Sequence, residues 1–150
     1  MQQILYTSTS TIPGDGADLA RILNQSRHNN ALDGIRGFLL SDGTHFIQVI
    51  EGPRASVSTC FERIKTDDRH HSIELMLERK IQATDFGTWT MLHRRQHEPA
   101  NMYQSYINRL LINATSEIRM FFKLFVAASA RESFNPPNPD IPFLNKLARN

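Results

Sequence analysis

An internal disulfide is excluded by arithmetic, because the 150 residues include a single cysteine, Cys60. The same count excludes a cysteine-rich zinc site. No apolar run approaches the ~18–20 residues that a membrane helix needs. The N-terminal MQQILYTSTS lacks the basic start, apolar core and cleavage site of a secretory leader. No membrane partner is therefore expected, a cytoplasmic location is, and the sequon Asn113-Ala114-Thr115 reads as chance. Charge of one sign is scarce too. Lys+Arg number 17 against 15 Asp+Glu, a formal net charge of +2. That is too weak a field to suggest a nucleic-acid partner. Repeats and low-complexity tracts are missing.

What remains is an ordinary globular composition, in a chain long enough to bury about two-thirds of its unfolded surface. QQILYTST is a β-prone run leading into the turn-rich PGDG. Leu19, Ile22, Leu23 and Ser26 recur at helical spacing between Ala17 and about Asn30. DGIRGFLL and HFIQVIEG read as antiparallel strands joined at Asp42-Gly43, a pair favoured in two-residue hairpin turns. Val57, Cys60, Phe61 and Ile64 mark a second amphipathic helix. SIELMLERKI and GTWTMLHR are further strands. The fold class is α+β, a ferredoxin-like βαββαβ order with a fifth strand.

In that topology both helices cover one sheet face, yet the first, third and fourth strands carry apolar residues on both sides. The other face must also be covered. Two C-terminal stripes can do it: Tyr103, Tyr106, Ile107, Leu110 and Leu111, then the broad aromatic segment 118–128. The second is wide enough either to lie deep against the sheet or to meet another subunit. A proline-rich loop and an apolar end at Phe143, Leu144 and Leu147 follow.

One residue is out of place. Gln48 lies within the apolar run of HFIQVIEG, and a buried amide without a partner costs about 1–3 kcal/mol. Alternation puts Ile4 and Tyr6 on one face of the first strand, Phe46, Gln48 and Ile50 on one face of the third, and Trp89 and Met91 on one face of the fifth. The first and third strands are central neighbours, so Tyr6 and Gln48 lie side by side. The phenol can donate to the amide, whose NH2 end then still needs an acceptor. A buried water answers that need, and so does a ligand bound between the two helices. Asn29 and Asn30 either cap the first helix or read the edge of such a ligand.

ILYTS, RHNNALDGIRGFLL, HFIQVIEGP, FERIKTDDRHHS and WTM, in this order over about residues 2 to 95, resemble the BLUF domain, a blue-light sensor that uses flavin. The resemblance implies a non-covalent flavin, FAD or FMN. Tyr6 matches the tyrosine that donates an electron and a proton to the excited flavin. Gln48 matches the glutamine between that phenol and the ring. Asn30 matches the asparagine at the ring's polar edge and Asn29 its neighbour lining the pocket. Ile22 and Ile64 match the aliphatic residues on either side of the ring, and Arg63 a basic residue reaching the phosphate, with a solvated helix arginine as the plain alternative. Trp89 and Met91 match the fifth-strand pair whose exchange is debated as the signal. Asp33 stands where the family often has asparagine, with little effect expected. The implied division is a flavin-binding domain at 1–96 and a helical extension at 97–150 packed on the sheet. A short protein of this kind acts on a downstream protein partner or through its own assembly, and a homo-oligomer is expected. It is a switch and not a catalyst.

The rival reading is a small ferredoxin-like enzyme of acylphosphatase type, but STIPGDGAD lacks the basic residue and backbone donors of a phosphate loop. An RNA binder of this topology would need exposed aromatics on the central strands. His93 and His97 lack the helix that would make four-residue spacing a metal site, and the adjacent His70 and His71 read as surface residues. Cys60 reads as a small core residue.

Overall fold

The strand β1 (Gln2–Ser10) lies inside the sheet, with β3 (His45–Gly52) and β4 (His70–Lys80) antiparallel on either side. β2 (Arg36–Ser41) pairs antiparallel with β3, and β5 (Trp89–His93) pairs parallel with β2. The sheet order is β4-β1-β3-β2-β5. The computed structural model describes residues 1–11, 17–94 and 100–132, without the side chains of 17–20, 22–23, 100–101 and 130–132. The PGDG turn at 13–16, His97 and the tail with Phe143, Leu144 and Leu147 lie outside the described residues. So do the side chains of Leu19, Ile22 and Leu23.

Four helices flank the sheet: α1 (Ala17–Leu32), α2 (Arg54–Thr66), α3 (Ala100–Leu110) and α4 (Ser116–Glu132). α2 packs on β1 and β3, and α1 beside β5. Ile4, Ile35, Leu39, Ile50, Val57 and Trp89 fill the core on this side. On the opposite side Leu5, Phe38, Leu40, Ile47 and Val49 meet Tyr103, Ile107, Leu111, Ile118, Phe122 and Phe125. The two C-terminal helices thus cover the second face, as the apolar strands require. Phe38 and Phe122 stack with centroids 5.1 Å apart. The broad stripe of α4 is used against the sheet: Ile118, Phe122 and Phe125 recur at helical spacing and are fully buried, while Phe121 and Leu124 pack at the margin.

Three details differ from the sequence reading. In the β2–β3 hairpin Asp42 closes on His45, its N–H donating to the His45 carbonyl. The turn residues are therefore Gly43, at φ 93°, and Thr44, one position beyond Asp42-Gly43. Asp42 acts as an acceptor instead, taking the N–H groups of Thr44 and His45. α1 continues two residues past Asn30 and ends in a Schellman motif. Ile35 N–H donates to the Asn30 carbonyl and Gly34 N–H to that of Ala31, with Gly34 at φ 72°. β4 is a sheet edge and is less covered than its composition suggests, leaving Leu75 47% exposed.

Candidate functional site

Gln48 and Tyr6 are direct cross-strand partners on β3 and β1. A register shift on β4 falls between Leu5 and Tyr6, a bulge of the kind that re-aims a side chain near a site. The Gln48 Nε2 donates to the Tyr6 hydroxyl oxygen, the reverse of the direction expected from sequence. Trp89 explains the reversal. Its indole Nε1 donates to Gln48 Oε1 at 2.9 Å, and an indole N–H can only donate. The amide oxygen must therefore face Trp89, and the NH2 end faces the phenol. All three side chains are buried. Burial pushes the Tyr6 phenol far above its ordinary pKa, with the Gln48 bond opposing, so the phenol holds its proton across the physiological range.

Asn30 lies in the last turn of α1 and is also buried. Because backbone groups close that helix end, its side chain is not needed as a cap. Its Oδ1 accepts from the Cys60 thiol at 3.9 Å. Ile64 and Met91 pack against the same apolar cluster as Trp89, and Asn29 is half-buried. Arg63 is exposed and paired with Asp33 at 3.1 Å, and its guanidinium also reaches the Cys60 thiol beside Asn30. The Asp33 position thus has a partner that the sequence did not suggest. Ile22 lies on α1, with its side chain outside the described residues.

Two neighbours carry bonds that the sequence reading did not give, although Cys60 is the core residue expected. Cys60 also bonds Asn30. His70 is half-buried and not a surface histidine. Its Nε2 meets the Ile64 carbonyl at 2.6 Å and its Nδ1 the Ser8 hydroxyl at 2.8 Å. A carbonyl can only accept, so Nε2 carries a proton. The ring lies 6.3 Å from that of Tyr6, edge to face. The adjacency of His70 and His71 obscured this, because alternation sends only one of them inward.

These groups can be tested against a flavin by counting donors. Gln48 has two amide protons and the phenol accepts one of them. Asn30 turns its oxygen to Cys60, which leaves an NH2 end to donate. Two buried amides, one on β3 and one in the last turn of α1, beside a phenol and the aliphatic Ile64, fit a flat ring with carbonyl and imine acceptors along its edge.

The family described as sensors of blue-light using FAD, BLUF, matches residues 1–92. The chain belongs to the BLUF family. It is 25% identical over 122 residues to the blue light- and temperature-regulated antirepressor BluF of Escherichia coli (strain K12), covering 77% of this chain and 30% of that protein. It is 30% identical over 89 residues to the photoactivated adenylate cyclase subunit beta of Euglena gracilis, covering 59% of this chain and 10% of that protein. The chain thus spans less than a third of the length of these two relatives. Among solved structures, the dark state of the BLUF protein BlrB superposes with a TM-score of 0.57 at 36% identity, covering 61% of this chain and 70% of that one. Klebsiella pneumoniae BlrP1, in a manganese/cy-diGMP complex at pH 6, superposes with a TM-score of 0.71 at 25% identity, covering 93% of this chain and 36% of that one. BLUF domains are flavin-binding photosensors, and the ferredoxin-like fold is shared with these structures. The comparisons lend no support to an acylphosphatase-type enzyme. Among the described residues no helix is long and apolar enough to cross a membrane.

Proposed function

We propose that this chain senses blue light through a flavin held non-covalently between α1 and α2, and that Tyr6, Gln48 and Trp89 convert absorption into a change of hydrogen bonding. The carrying observation is the buried chain from Trp89 through Gln48 to Tyr6. Asn30 and Asn29 would meet the polar edge of the ring, and Ile22 and Ile64 its two faces. Arg63 would leave Asp33 for the phosphate. The family description names FAD, and the set proposed here accommodates FAD or FMN because it addresses the ring and first phosphate alone.

A bound flavin supplies a ring that absorbs blue light and, once excited, takes up an electron. Tyr6 would be the residue that lends the ring an electron and its phenolic proton and takes both back, so the cycle would leave no net oxidation and break no substrate bond. Gln48 would be the residue that rotates or tautomerises in that interval. Its two ends are chemically opposite but nearly equal in shape, so two states lie close in energy. A rotated amide would turn its NH2 end toward Trp89, donor facing donor. Trp89 then loses its reason to stay, and Met91 on the same face can replace it. Asparagine at position 48 would be too short, and glutamate would bury a charge.

Residues 1–96 form the sensor in this reading, and 97–150 carry the signal to a downstream protein partner or to the assembly of a homo-oligomer. The name antirepressor borne by the Escherichia coli relative supports a protein partner. The aromatic stripe of α4 lies against the sheet, so the outer face of α3 is the better candidate for docking. There an open pocket of about 230 Å³ is lined by Met102, Ser105, Tyr106 and Arg109.

The test is an absorbance spectrum of the purified chain before and after blue light. A flavin spectrum that moves slightly to the red and recovers in darkness is expected, and Gln48→Leu or Tyr6→Phe should abolish the shift while keeping the flavin. A colourless protein that takes up no added flavin would overturn the reading.

A further inference from the structure

On the sheet face away from α1 and α2, polar side chains of three adjacent strands form a row. Gln3 on β1 is the cross-strand partner of both Glu51 on β3 and Arg79 on β4. Gln3 Nε2 donates to Glu51 Oε2 at 2.9 Å and to Asp85 Oδ2 at 3.2 Å, while Gln3 Oε1 accepts from Arg79 Nε at 2.8 Å. Gln3 and Glu51 are both fully buried. An amide polarised between a guanidinium and a carboxylate has one favourable orientation, because its donor end must face the acid.

The row has two outer ends. At one, Glu51 Oε1 accepts the backbone N–H of Phe86 at 2.7 Å. Phe86 lies in the segment 81–88, which runs across the end of the sheet from the β4 edge to the β5 edge. That segment is held along its way by Ile81 N–H to the Met1 carbonyl and by the Thr88 carbonyl accepting from Gly37 N–H. One residue after Thr88 is Trp89, bonded to Gln48. At the other end, Arg79 donates to Thr115 Oγ1 at 3.1 Å and pairs with Glu117 at 3.5 Å. Thr115 caps α4, its Oγ1 accepting from Ile118 N–H at 3.4 Å.

A buried carboxylate tied through a buried amide to a half-buried guanidinium is a poor device for stability, since apolar replacements of similar volume often do as well or better. Burial holds the Glu51 carboxyl above its ordinary pKa, against the opposing bonds from the Phe86 and Asp85 backbone and from Gln3. What such a row offers is registry between the elements it joins. We propose that Glu51, Gln3 and Arg79 are positioning residues that couple the segment carrying Trp89 to the α3–α4 turn, so that displacement of Trp89 at Gln48 is transmitted to the start of α4. This rests on the photosensor reading for its trigger, but the linkage itself is present in darkness.

Trp89 is the only tryptophan of the chain, so its indole N–H gives one amide-type resonance free of overlap from other indoles. In the full chain with its flavin, in darkness, Arg79→Met is expected to move that resonance although Arg79 and Trp89 lie on opposite edge strands. Lys80→Met, at the exposed neighbouring position on β4, should leave it in place, and Arg79→Lys should restore it in part. Under blue light, hydrogen exchange at 115–118 is expected to change in the natural sequence. That change should fall at least threefold in Glu51→Gln and Arg79→Met, with the absorbance shift retained. Should Glu51→Gln fail to fold, the partly exposed Arg79 carries the test. An unmoved indole resonance in Arg79→Met, or an undiminished light response at 115–118, overturns the linkage. An absorbance shift without any response at 115–118 in the natural sequence overturns it as well. A missing absorbance shift in the natural sequence instead counts against the photosensor reading, and the dark comparison still decides the linkage.

Discussion

Gln48 is held by two groups of opposite demand, an indole that can only donate and a phenol oxygen that accepts. Replacing Trp89 by phenylalanine keeps most of the apolar bulk and deletes the donor. The amide oxygen is then left without its partner, which costs about 1–3 kcal/mol. Trp89→Phe is therefore expected to lower the free energy of unfolding by that amount, read as a lower urea midpoint, and to loosen the amide orientation, seen as a displaced dark absorbance maximum. An unchanged midpoint and spectrum would show that the indole bond does not orient Gln48. At this scale the sequence was legible where alternation alone decides. Tyr6 and Gln48 lie on facing positions of neighbouring strands, and a polar residue in an apolar run is conspicuous. The Trp89 bond was not legible: it joins residues 41 apart, across β2, and depends on how deeply the indole lies.

Elements are positioned by close backbone approaches as much as by apolar faces. Gly37 on β2 has φ 149°, and a Cβ there would come within 1.9 Å of the Val49 carbonyl oxygen. Gly37→Ala must push β2 away from β3 beside Gln48. The expected result is a loss above the ~1 kcal/mol typical of alanine at an incompatible glycine site, read as a lower denaturation midpoint. The β2–β3 hairpin is tied to α4 in another way, through the Ser129 hydroxyl donating to Asp42. Burial alone would raise the Asp42 carboxyl, but bonds from His45, Ser129 and Thr44 outweigh it and hold the group below its ordinary value of 3.8. The unfolded chain therefore takes up this proton more readily than the folded one. The stability that Asp42 contributes is present above pH 3.8 and is lost as pH falls through the folded value. Asp42→Asn should flatten that acid limb of the stability-against-pH curve, and an equally steep limb in the variant would count against this account. The hairpin and its strands were readable from composition. Its turn was misplaced by one residue because Asp42 serves as an acceptor at the closing pair, and an Asp-Gly dipeptide does not reveal which role its aspartate takes.

For the whole molecule, the decisive packing is between the sheet and α3–α4. Leu5, Phe38, Leu40, Ile47 and Val49 are fully buried there, and each fully exposed side chain of this kind loses about 1.5–3 kcal/mol of burial. A chain ending at residue 96 would present this face to water. It is expected to aggregate, or to bind a dye for apolar surfaces while melting at a lower temperature than the full chain. A soluble, equally stable truncation would show instead that 97–150 is dispensable for folding.

By itself the sequence determined the order of elements, the central pairing of β1 with β3, and the need for a cover on the second sheet face. These follow from period-2 and period-3.6 patterns and from the cost of exposed apolar strands, which act on every sequence alike. Tertiary structure alone decided which end of the Gln48 amide faces Tyr6, that His70 turns inward between Ser8 and Ile64, and that Glu51, Gln3 and Arg79 align across three strands. Each depends on groups far apart in the chain meeting at hydrogen-bonding distance, where a shift of about an ångström makes or removes the bond. Periodicity assigns a face to a residue, but only the packed sheet assigns it a partner.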